Sequence, residues 1–247
     1  MAKHSSKKKR VIWLVVLSVL LVLLVLSLVY LNTGYRADKK SIDDFSKDYN
    51  VTETKLDGAI AYGNADSEYG VIFYPGGKVD HYAYSPLMRA LAKKGVLCVL
   101  VEMPFDLAFF APNAADGKQS AFPGVSRWYM AGHSLGGVFA ASYLKAHLSE
   151  YDGLILLASY STSNLSSSGK KVLSVYGSKD GVMNRNNYAS NKSNLPSGFV
   201  EMTIDGGCHA GFAMYGRQSG DGTPEISSAE QIVATADIIY DFLTANA

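Results

Sequence analysis

Apolar positions in this chain form two kinds of run, and the first is the longer. Residues 11–31 carry no charge and are mostly Leu and Val. In a helix rising 1.5 Å per residue, such a run matches the roughly 30 Å hydrocarbon core of a bilayer. It has no polar face, which argues against a helix packed in the core of a soluble domain. Residues 32–54 are polar, with Arg36, Lys39, Lys40 and Lys47 interleaved with Asp38, Asp43, Asp44 and Asp48, and read as a stalk with at most a short surface helix. Beyond them, short apolar runs at 59–62, 70–74, 96–103, 127–131, 153–158, 171–176 and 199–204 alternate with helical patterns at 85–94, 135–147 and 227–243. Strands covered on both faces read as continuous apolar runs, and strands separated by helices join a parallel sheet through right-handed crossovers. The pattern predicts a doubly wound, mostly parallel α/β domain over 55–247.

Charge sharpens the reading of the first run. The net charge is +1, but Lys3, Lys7, Lys8, Lys9 and Arg10 put +5 on the first ten residues, leaving −4 for the rest. A basic face for nucleic acid on the folded part is therefore not expected. Clustered basic residues before an apolar span favour a cytoplasmic N-terminus, and Trp13 and Tyr30 stand near its ends as interfacial aromatics do. The span exceeds the core of a cleaved signal peptide and lacks a small-x-small site. The expectation is a basic cytoplasmic tail over 1–10, an uncleaved single-pass anchor in the cell membrane over 11–31, and an extracytoplasmic domain. Cys98 and Cys208 are too few for a disulfide framework, and neither has the neighbour a metal site needs.

Chemistry concentrates at the ends of the apolar runs. Gly132-His133-Ser134-Leu135-Gly136 joins a strand pattern to a helix pattern, where G-x-S-x-G makes a tight elbow that thrusts the serine above the sheet. A serine nucleophile needs a base oriented by an acid. Asp180 follows the run at 171–176 and His209 follows the run at 199–204, giving the order nucleophile, acid, base. His81 is the main rival base, Asp205, Glu102 and Asp106 are rival acids, and Cys208 is a remote rival nucleophile. An oxyanion on the substrate needs two backbone N–H donors. Leu135 supplies one, and Gly77 or Lys78 in the turn after residue 74 supplies the other.

Together, Tyr74-Pro75-Gly76-Gly77-Lys78-Val79, the 132–137 elbow, Tyr176-Gly177-Ser178-Lys179-Asp180 and Gly206-Gly207-Cys208-His209-Ala210-Gly211-Phe212 resemble the α/β-hydrolase superfamily. More narrowly, they are similar to its compact bacterial branch related to dienelactone hydrolases. The resemblance covers nearly all of 55–245 and implies a serine hydrolase with Ser134, Asp180 and His209 as triad, a small-molecule acyl substrate and no cofactor. Dienelactone hydrolases themselves use a cysteine nucleophile, so Ser134 departs from the pattern, as does the membrane anchor. Acyl transfer to an acceptor other than water, or a non-catalytic binding or scaffold role on the same fold, are the alternatives. The connection at 160–170 is too short for a lid. An open cleft suited to short acyl esters is expected, walled by Tyr82, Tyr84, Phe109 and Phe110.

Overall fold

The computed structural model describes residues 2–245. Met1, where the expected tail begins, and residues 246–247, where the expected domain ends, lie outside the described residues. The chain forms two units, Met1–Gly34 and Tyr35–Ala247. In the first, helix α1 (Ala2–Asn32) contains Lys9–Leu31, 23 residues that include an 18-residue window of mean hydropathy 3.2 with none of it buried. It is long and apolar enough to cross a membrane.

In the second unit eight strands form one sheet: β1 (Glu53–Leu56), β2 (Ala59–Tyr62), β3 (Tyr69–Tyr74), β4 (Leu97–Val101), β5 (Arg127–His133), β6 (Gly153–Leu157), β7 (Lys171–Gly177) and β8 (Val200–Ile204). Their order is β1-β2-β4-β3-β5-β6-β7-β8. The first two pairings are antiparallel and all others parallel. Helices α2 (Lys39–Asp48), α3 (Ser85–Lys93), α4 (Leu135–Ala146), α5 (Arg185–Asn191) and α6 (Ser228–Thr244) complete the fold. Alternate residues of β3 enter two different cores. Val71 and Phe73 pack with Leu87 and Leu91 of α3 and Ile232 and Ile239 of α6, while Ile72 and Tyr74 pack with Ala140 and Leu144 of α4. A strand covered on both sides needs apolar residues at every position, which is why β3 is an unbroken apolar run.

The stalk expected over 32–54 is corrected from Tyr35 onward. Asp38 caps α2 by accepting the Ser41 N–H at 3.2 Å, and Ile42 and Phe45, three residues apart on one face, are buried in the domain core. Tyr35 pairs with the loop after β3: its N–H donates to the Lys78 carbonyl at 2.7 Å and its carbonyl accepts the Asp80 N–H at 2.9 Å. Residues 53–56 are the edge strand β1. Two inward apolar positions among many charges are too sparse a signal to mark a docked helix. Between β6 and β7, residues 158–170 hold no helix, so no lid rises there.

Candidate active site

The site sits at the C-terminal edge of the sheet, where loops after β3, β5, β7 and β8 converge. Between the end of β5 and the first residue of α4, Ser134 takes φ 51° and ψ −124°, a left-handed conformation that costs a non-glycine residue about 1–3 kcal/mol. Its surroundings hold it there. The Ser134 N–H donates to the Leu157 carbonyl at 2.9 Å, and Ser159 Oγ donates to the Ser134 carbonyl at 2.6 Å. The flanking glycines are steric requirements. A Cβ on Gly132 would lie 2.6 Å from the backbone of Gly136, and one on Gly136 would run into the carbonyl oxygens of Pro75 and Tyr74.

Asp180 follows β7 and His209 follows β8, and the fold brings them into contact. His209 Nδ1–H donates to Asp180 Oδ2 at 2.9 Å, while Asp180 Oδ1 accepts the N–H groups of Val182 and Met183 at 2.9 and 2.8 Å. Burial pushes the Asp180 carboxyl up, but the hydrogen bond and charge of His209, with those two N–H groups, outweigh it and hold the carboxyl below the usual carboxylate range. His209 Nε2 is buried and has no hydrogen-bond partner among the described residues. His209 and Ser134 line one cavity of about 240 Å³, with Leu135, Val138, Tyr160 and Met183 among its walls.

Leu135 opens α4, so its N–H has no acceptor within the helix. Of the two expected partner donors, Lys78 is removed, because its N–H donates to the Asp106 carbonyl at 2.7 Å. Gly77 remains, and it lies so close to Leu135 that a Cβ on it would sit 2.8 Å from Leu135 Cδ2. The turn is fixed from behind. Gly76 N–H donates to Tyr84 Oη at 3.0 Å, and Tyr84 Oη is hydrogen-bonded to His133 Nδ1 at 2.8 Å. Tyr84 is therefore a buried support and not the cleft wall expected of it. Burial, and then the neighbouring His209, lower the His133 pKa well below the ordinary histidine value. Its ring centroid is 4.5 Å from that of His209.

A sequence profile of the alpha/beta hydrolase family matches residues 70–233. The chain belongs to the alpha/beta hydrolase family. Among solved structures, it is similar to a CIB-like hydrolase from Thermoplasma acidophilum (16% identity, 78% of this chain and 99% of that chain, TM-score 0.54). It is also similar to Est1E from Butyrivibrio proteoclasticus (15% identity, 78% and 98%, TM-score 0.54) and to a dienelactone hydrolase from Anabaena variabilis (11% identity, 79% and 96%, TM-score 0.54). At these identities the likeness is one of fold. No curated protein matches the chain by sequence.

Within this alpha/beta hydrolase the rival residues are engaged elsewhere. Asp205 accepts from Ser178 Oγ at 3.0 Å. His81 stands 3.7 Å from Asp80 and, with Tyr82, lines a separate cavity. Glu102 is exposed beyond β4. Both cysteines are free and buried, and burial, with the charge of Asp221, pushes the Cys208 thiol up to about 11. Phe109 and Phe110 stand outside the cavity, exposed to solvent. Among the described residues no cluster of three or more His, Cys, Asp or Glu side chains could hold a metal ion. Asp221 is a residue whose part sequence reasoning missed. Its carboxylate accepts backbone N–H groups from Gly181 and His209 at 3.1 Å and from Ala210 and Gly222 at 2.8 Å. It thus joins the loop of the acid to the loop of the base. The available signal was an aspartate between two glycines shortly after His209, a composition suited to gathering backbone N–H groups.

Proposed function

We propose that the protein is a membrane-anchored, extracytoplasmic serine hydrolase that cleaves an ester or related acyl bond through an acyl-enzyme. The observation that carries this reading is the buried Asp180–His209 pair, whose free Nε2 belongs to a residue lining the same cavity as Ser134. His209 Nε2 takes the proton as Ser134 Oγ attacks the acyl carbon, and returns it to the leaving alkoxide. Asp180 holds the ring with Nδ1 protonated and stabilises the imidazolium that forms. The N–H groups of Leu135 and Gly77 receive the oxyanion, a contribution worth several kcal/mol when donors are fixed in advance. Water then repeats the sequence on the acyl-enzyme. A neutral His133 beside His209 adds no charge against the transient imidazolium. The basic residues before the α1 span favour a cytoplasmic N-terminus, so an impermeant protease added to intact cells should digest the domain. A fluorophosphonate probe tests the chemistry: it should label the wild type on Ser134 and leave Ser134→Ala unlabelled. Equal labelling of Ser134→Ala would sink the reading.

A further inference from the structure

Six large hydrophobic residues of the described domain are exposed, and three of them, Phe105, Phe109 and Phe110, form one cluster in the loop after β4. A fourth, Leu135, is in the candidate site itself. Phe110 meets Phe105 and Phe109 edge to face, each pair with ring centroids 5.5 Å apart. The exposure is built rather than frayed. Phe105 and Asp106 take consecutive left-handed conformations, φ 56° and 55°, which are unfavourable for residues with side chains. The turn is held by Asp106 N–H on the Met103 carbonyl and Lys78 N–H on the Asp106 carbonyl, at 3.0 and 2.7 Å. An aromatic cluster of this kind is poorly suited to water and well suited to the headgroup boundary of a bilayer.

The proposed anchor supplies the bilayer. Tyr35 is three residues beyond the last residue of α1, a covalent reach of about 10 Å at most. Tyr35 is bonded to Lys78, and Lys78 to Asp106 beside Phe105. We propose that Phe105, Phe109 and Phe110 dip into the surface of the membrane that holds α1, so that the candidate site works on a short acyl group carried by a membrane-held amphiphile. This rests on the membrane-anchor reading of α1 for the docking and on the serine-hydrolase reading for the substrate. Nearby charges are mixed, with Arg36 4.0 Å from Asp106 and Asp80 beside His81. Docking is accordingly apolar and should depend little on anionic lipid.

The test uses the full chain in phosphatidylcholine vesicles. Phe109→Trp is made in a Trp13→Phe background, where the remaining Trp128, near the start of β5, is buried in the core. With phospholipid brominated on its acyl chains, the indole introduced by Phe109→Trp should lose about half its emission or more, whereas Trp13→Phe alone should lose little. Phe109→Ser/Phe110→Ser should lower turnover of vesicle-held hexadecyl acetate about tenfold and leave turnover of a water-soluble acetate ester within about twofold. An unquenched indole would overturn the proposal. So would an equal fall on both esters, which would make the aromatics a wall for the leaving group. Quenching with neither ester cleaved by the wild type would uphold the docking and remove the hydrolase reading alone.

Discussion

Four backbone N–H groups from two loops end on the carboxylate of Asp221, so the separation of Asp180 from His209 depends on a residue that touches neither side chain. Asp221→Asn puts an amide NH2 where N–H donors converge, and should lower kcat about 10–100-fold with KM within about threefold. Asp205→Asn, whose amide oxygen can still accept from Ser178 Oγ, should stay within about threefold; steady-state kinetics on one acetate ester checks both. The second residue-scale consequence concerns His133. It is buried, with its pKa well below the ordinary histidine value, so the folded chain binds fewer protons than the unfolded one once pH falls below about 6.5. Stability is fully present above that pH and declines beneath it, by up to about 1.4 kcal/mol per pH unit, until the folded pKa is reached. Urea unfolding between pH 7.5 and 5 should show this slope reduced in His133→Gln. The three candidate catalytic side chains were legible because each follows an apolar run or elbow motif. Asp221 was not, since its partners are backbone groups that only the fold assembles. The choice between Gly77 and Lys78 was also hidden, because it depends on where the Asp106 carbonyl ends up.

Elements buried on two sides announced themselves. Strands β3 to β7 and helices α3, α4 and α6 were visible because continuous apolar runs and helical periodicity leave little freedom for another reading. The elements missed, β1 and α5, or read as no more than a possible surface helix, α2, were largely exposed ones. Three of the four residues of β1 are exposed, and α2 turns only Ile42 and Phe45 inward while Lys40, Asp44 and Lys47 pair on its outer face. Burying both apolar residues makes α2 and the Tyr35 strap part of the domain rather than of a leader. Ile42→Ala and Phe45→Ala should each destabilise the domain by about 2–4 kcal/mol, measured by denaturant unfolding. A true stalk would register neither change.

At the scale of the whole molecule, the fold class and the anchor-like helix were readable from composition and period, while the join between the two units was misplaced because a strap paired to a loop has no period of its own. The candidate cleft, about 240 Å³ and without a lid from the β6–β7 connection, leaves the far methylenes of a long acyl chain in water, each forgoing about 0.8 kcal/mol. Across acetyl, butyryl, octanoyl and palmitoyl esters of one alcohol, kcat/KM should therefore peak at the short end, and a steady rise to palmitoyl would count against it. The bare connection at 158–170 also bears on time. Enzymes that cap their sites wait, often for microseconds to milliseconds, on a segment swinging shut and open. With no such cap between β6 and β7, that connection imposes no conformational clock on the cycle.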